Sequence, residues 1–102
     1  MKLKDYITKG IDAKHGVIAL AEYLGVDRTY LPRARAGRQG LPGYACVKLA
    51  QLIGEDERRV IAASELVTEK NPERRAVWLP FVQEIAQNAR QQTVQKVQSS
   101  IL

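Results

Sequence analysis

Four arginines, Arg28, Arg33, Arg35 and Arg38, stand within one short stretch with no acid among them. A guanidinium is always charged and presents its donors as a planar fork. It suits a carboxylate, a phosphate, or the O6 and N7 edge of a guanine. Thr29 and Gln39 add neutral hydrogen-bonding groups at the two ends of the stretch. Other chemistries lack their parts. His15 is the only histidine and Cys46 the only cysteine, so no Cys/His spacing offers a metal site. Nothing around Cys46 supplies the base that a nucleophilic thiol needs, and it reads as a small core residue. The segment GRQGLPG at 37–43 contains glycines but follows a helical pattern, without the strand that a phosphate-cradling loop requires. The chain reads as a binding protein and not an enzyme, with no cofactor and no metal.

The charge distribution points the same way. Of 102 residues, 16 are Lys or Arg and 11 are Asp or Glu, a net charge of +5. Residues 1–50 hold nine basic and four acidic residues, and residues 51–102 hold seven of each, so the whole excess lies in the first half. A basic face confined to one half suggests a polyanionic partner. Length and 45% hydrophobic content suit one small domain with a single core. No apolar run approaches the roughly 20 residues of a membrane span, and MKLKDYITKG lacks the apolar core of a secretory signal. A lone cysteine fits a reducing compartment, so a cytoplasmic location is expected, away from membranes.

The elements that must hold these arginines are helices, since no stretch alternates as a strand does. Leu3, Tyr6 and Ile7 form one stripe of a first helix over 2–9, with Gly10 expected to end it. Residues 11–16 form a connector, in which Asp12 or His15 can cap the second helix. That second helix spans Val17 to Leu24, with Leu20, Ala21 and Leu24 inward, and Gly25 makes the turn. A third helix starts near Asp27, or at Thr29 as cap, and ends near Ala36 or Gly37. Pro32 favours the later start, because proline is harmless only in a helix's first turn. The pair is a helix-turn-helix, a motif whose DNA-binding form lays its second helix in the major groove.

After the 37–43 loop, Pro42 opens a fourth helix to Ile53, with Tyr44, Val47, Leu49, Leu52 and Ile53 among its buried residues and Gly54 closing it. Asp56 caps a fifth, over about 57–70, with Val60, Ile61, Ser64 and Leu66 or Val67 inward. Asn71-Pro72 separates it from a sixth that carries Trp78 as a packing residue, and Pro80 is expected to kink or interrupt that helix. The expected fold is all-α: a helix-turn-helix domain over 1–80 with five or six short helices, and a helical extension over 81–102. The extension is glutamine-rich, and its apolar sets, Val82-Ile85-Ala89 and Val94-Val97-Ile101, are out of register with each other. It is a candidate dimerisation element, or a helix completing the monomer's core.

Leu20, Ala21, Leu24, Gly25, Val26, Leu31 and Ala34 resemble the small or apolar positions of the lambda Cro/repressor class of helix-turn-helix proteins. The GRQGLP loop followed by ACVKLAQLIG also resembles that class. The run on through VIAASELVTEKNPERRAVW is similar to small phage-related helix-turn-helix proteins of the filamentous-phage type. The resemblance covers about 80 residues and implies a lambda-repressor-like fold. It places Arg28 and Thr29 at base edges, Arg33 at a base or a phosphate, and Arg35, Arg38 and Gln39 at the DNA backbone. The chain departs from the class at two points. Val17 stands where a phosphate-holding Gln is common, which shifts that anchor to Lys14, His15 or a backbone N–H. Pro32 stands at a position that often faces the groove, and it cannot donate a hydrogen bond.

The leading expectation is a sequence-specific transcriptional regulator, a phage or prophage repressor that acts as a dimer by covering a promoter. The alternative is a phage-encoded interaction module that binds and inhibits a host protein.

Overall fold

A computed structural model describes residues 1–83. They form six α-helices: α1 Leu3–Lys14, α2 Val17–Leu24, α3 Tyr30–Arg35, α4 Gly43–Ile53, α5 Glu57–Thr68 and α6 Pro72–Val82. No strand occurs among the described residues. The fold is the expected all-α one, with α2 and α3 forming the helix-turn-helix. Residues 84–102, most of the expected C-terminal extension, lie outside the described residues.

The first helix is longer than its sequence pattern suggested. Gly10 does not end α1 but continues its buried stripe of Leu3, Tyr6 and Ile7. A Cβ at Gly10 would lie 2.7 Å from Leu49 Cδ1 and 3.1 Å from both methyls of Leu20. The glycine is therefore the notch through which α1 meets α2 and α4. The connector shrinks to His15 and Gly16. His15 takes the left-handed conformation as the C-cap of α1, and neither Asp12 nor His15 caps α2, whose N-cap is Gly16.

Around α1 pack α2, α3, α4 and α5, while α6 packs on α5. The core between them is made of Leu3, Tyr6, Ile7, Leu20, Leu24, Leu31, Leu49 and Val60, each no more than 2% exposed, with alanines filling the close approaches. Cys46 belongs to this core at 1% exposure, and burial pushes its thiol up, away from the reactive thiolate.

Helix boundaries follow local chemistry. Asp56 caps α5 by accepting the Arg58 N–H at 2.8 Å, and Asn71 caps α6 by accepting those of Glu73 and Arg74 at 2.9 and 3.2 Å. Pro42 is the N-cap of α4, one position before the helix begins. On α4 the buried residues are Ala45, Cys46, Leu49 and Ala50, and Tyr44 is 57% exposed instead of buried. On α5 they are Val60, Ala62, Ala63 and Ser64, and the helix ends at Thr68. Pro80 does not interrupt α6, which runs to Val82 through the boundary expected at residue 80. Proline removes only its own N–H bond, and the next turn closes with Gln83 N–H on Leu79 C=O at 3.1 Å.

Candidate nucleic-acid interface

The turn of the helix-turn-helix is built first. Gly25 adopts φ 76°, and its N–H and that of Val26 both reach the Ala21 carbonyl, at 2.9 and 3.0 Å. From α4, the Tyr44 hydroxyl donates to the Gly25 carbonyl at 3.1 Å, so the exposed ring braces the turn from outside. Sequence reasoning missed this role by assigning Tyr44 to the core. The usable signal is that a tyrosine hydroxyl seeks a hydrogen-bond partner, so its ring often sits at an edge.

The entry to α3 uses both cap candidates. Asp27 Oδ1 accepts from the backbone N–H and from the hydroxyl of Thr29, both at 2.8 Å, and Tyr30 N–H bonds the Asp27 carbonyl at 2.9 Å. Thr29 occupies the N-cap position without making a cap bond of its own. The Thr29 N–H and hydroxyl hold the Asp27 carboxyl below its ordinary range, and the charges of Arg28 and Arg33 act in the same direction. Pro32 is the third residue of α3. It sits in the first turn, where no N–H has a helical partner to lose, so it is compatible with the helix.

Leu31 and Ala34 anchor α3 in the core, and Thr29, Pro32, Arg33, Arg35 and Ala36 are exposed. At about 100° per residue, Thr29 and Arg33 share the face opposite the buried pair. Gly37, at φ 76°, then folds the chain back, and Arg38 N–H bonds the Arg33 carbonyl at 3.0 Å. Arg28, Thr29, Arg33 and Arg38 thus gather on and around one short helix, and no ion pair engages the arginines among the described residues. Arg35 sits to one side, lining both a cleft with Val17, Leu31 and Pro32 and a second groove toward α1 and α6.

Two expected site residues lie elsewhere. Gln39 is half-buried, and its Nε2 is buried with no hydrogen-bond partner among the described residues, instead of facing outward to a phosphate. The cause is Ser64 on α5, whose Oγ accepts from Leu41 N–H at 2.7 Å and donates to Leu41 C=O at 3.1 Å. That clip pulls residues 39–41 onto α5. A Cβ at Gly40 would fall 2.5 Å from Ser64 Oγ and 2.7 Å from its carbonyl oxygen. Lys14 is also committed elsewhere. Its ammonium lies 4.2 Å from the centroid of the Tyr23 ring, which Lys48 also approaches at 4.7 Å. Tyr23 is about 120° round α2 from Val17, and Val17 is the residue that lines the α3 cleft.

The assembled face carries positive charge and fork-shaped donors, a chemistry complementary to an anionic group, while the Thr29 hydroxyl donates to Asp27. Compared with known proteins, this chain matches no family model, no curated protein and no solved structure.

Proposed function

We propose that the protein is a sequence-specific DNA-binding regulator, a repressor of phage or prophage origin that covers promoter DNA. The observation that carries this reading is the cluster of Arg28, Arg33 and Arg38 gathered around α3, exposed and without ion pairs among the described residues, on a helix-turn-helix whose own core is complete. In this reading α3 enters the major groove, with Arg28, Thr29 and Arg33 toward base edges. Arg38 and Arg35 flank the helix against phosphates, which fix the register but carry no sequence information. A single module of this size buries little DNA, so a symmetric dimer on two half-sites about 34 Å apart supplies the affinity. The side of α6 bearing Val77, 61% exposed, beside the Trp78–Phe81 ring pair supports a second copy there. The cytoplasm is the compartment this function requires. The opposing reading, a module that inhibits a host protein, draws support from Pro32, which gives the exposed face of α3 no donor at its middle.

The test is selection of duplexes from a random pool, followed by fluorescence anisotropy across a salt series. Selection of a palindromic site, bound far more tightly than random DNA, supports the regulator. Arg33→Ala should then cost about 1–3 kcal/mol and relax one position of the site. Arg38→Ala should weaken all duplexes alike and lower the salt slope by about 1. Sequence-blind binding, or none at physiological salt, overturns it.

A further inference from the structure

On the flank of α3 lies a groove of about 400 Å³ between the start of α1, the end of α3, α5 and α6. Its volume falls within the range of about 300–1,000 Å³ typical of ligand sites. Leu66 and Val67 of α5 and Leu79 and Val82 of α6 give it an apolar floor, each only partly covered. Lys2, Lys4, Arg35 and Arg75 stand around it, and no Asp or Glu is among its described lining residues. Arg75 is fixed in place, its Nη1 donating to the carbonyls of Leu66 and Glu69 at 2.9 and 2.7 Å. Lys2, Lys4 and Arg35 are exposed and make no ion pair among the described residues.

We propose that this groove docks an acidic, apolar-faced segment of a partner protein, with its apolar side chains on Leu66, Val67, Leu79 and Val82 and its carboxylates at Lys2, Lys4 and Arg35. An apolar floor within a cationic rim is complementary to a helix whose apolar residues recur at i, i+3, i+4 and i+7 with acids between them. The chain's own residues 84–102 hold one acid, Glu84, and two bases, Arg90 and Lys96, so they repeat the sign of the rim instead of opposing it. A lipid surface favours a protruding apolar face, whereas this one is recessed between helices. The docking site stands independently of the DNA reading. Under that reading a docked segment lies against Arg35 and Gly37, at the edge of the DNA face, and competes with phosphate there.

The experiment uses the full chain, without DNA, and two fluorescein-labelled helical peptides with the same leucine positions, one with glutamates between them and one with lysines. The glutamate peptide should bind and the lysine peptide should not. Backbone amide NMR shifts should concentrate at Leu66, Val67 and Leu79. Lys2→Glu combined with Lys4→Glu should weaken the glutamate peptide at least about tenfold. Leu79→Asp should weaken it too, with circular dichroism confirming that each variant is folded. Equal binding of both peptides, shifts centred elsewhere, or no response to the lysine reversals overturns the proposal. So does binding to phosphatidylserine vesicles without peptide binding, or a dimer that dissociates on Leu79→Asp, which would make the groove a contact between two copies.

Discussion

Replacing Ser64 by alanine should cost far more than the loss of one surface hydroxyl. Ser64 is 5% exposed, and its Oγ serves both backbone groups of Leu41, accepting the N–H at 2.7 Å and donating to the C=O at 3.1 Å. Leu41 is itself buried, at 8% exposure. In Ser64→Ala the Leu41 carbonyl keeps only the Cys46 thiol at 3.6 Å, a weak donor, and the N–H loses its partner. A buried unsatisfied amide costs about 1–3 kcal/mol, so the expected loss is about 2 kcal/mol. For a domain of this size each kcal/mol moves the midpoint by about 4–8 °C, so Tm should fall by about 8–16 °C. Thermal melts and urea titrations followed by circular dichroism measure it. Thr8→Ala is the control: its hydroxyl bonds the Lys4 carbonyl on the exposed side of α1, and it should stay within about 0.5 kcal/mol. If Ser64→Ala also costs less than about 0.5 kcal/mol at unchanged urea slope, the loop is not held by this clip, and the account of why Gln39 turns inward fails with it. Gly40→Ala probes the same contact from the other side. Adding Ser64→Ala should not rescue it, because the Ser64 carbonyl oxygen would still lie 2.7 Å from the new Cβ.

Gly10→Val forces a branched side chain into the space held by Leu20 and Leu49, and should destabilise by about 1–3 kcal/mol in urea titration. Leu20→Ala, at a site with no exposure, should cost about 2–5 kcal/mol by the same measurement. Pro32→Ala should change stability by less than about 1 kcal/mol, since no helical hydrogen bond is restored or lost in the first turn. A gain of about 3 kcal/mol would show that Pro32 strains α3. The Asp27 and Asp56 carboxyls both titrate below their ordinary range. Asp27 is held by the Thr29 N–H and hydroxyl, and Asp56 chiefly by the Arg58 side chain. Their contribution is therefore complete above the unfolded pKa of about 3.9 and is lost as pH falls through the lower folded values. Asp27→Asn with Asp56→Asn should be less stable than the parent at pH 6, and the difference should shrink as pH is lowered below the unfolded value, read from urea midpoints at each pH.

How much of this was legible in the chain depended on which residues carried their own geometry. Asp56, Asn71 and Gly54 mark their helix ends with side chains or backbone freedom that act within a few residues, and the structure places the ends there. Gly10 could not be read that way. The same absence of a Cβ that ends a helix also lets two helices meet, and only the positions of Leu20 and Leu49, far along the chain, decide between the two. Tyr44 was misread for a related reason. Its place in an apolar run suggested the core, but the small residues Ala45 and Cys46 occupy the tight α4 interface, and the larger ring is left to reach the Gly25 carbonyl.

The candidate interface divides along the same line. The resemblance named Arg28, Thr29 and Arg33 as candidates, and what the structure adds is that all three are exposed, with Thr29 and Arg33 opposite the buried Leu31 and Ala34, an exposure decided within a few residues. Lys14 and Gln39 depended on partners distant in sequence. Tyr23 with Lys48 claims the Lys14 ammonium, and Ser64 draws the Gln39 loop onto α5. Because α3 is only six residues long, under the proposed DNA reading the base-facing work falls to the side chains nearest its start. Fixing that start falls to Asp27, the one acid beside the arginines. If α3 reads DNA, Asp27→Asn should keep the turn's oxygen acceptor, remove a charge that repels phosphate, and tighten binding to every duplex alike. A loss of affinity instead would show that the ionised carboxylate, through its two bonds from Thr29, matters more to the shape of the interface than its charge does to its potential.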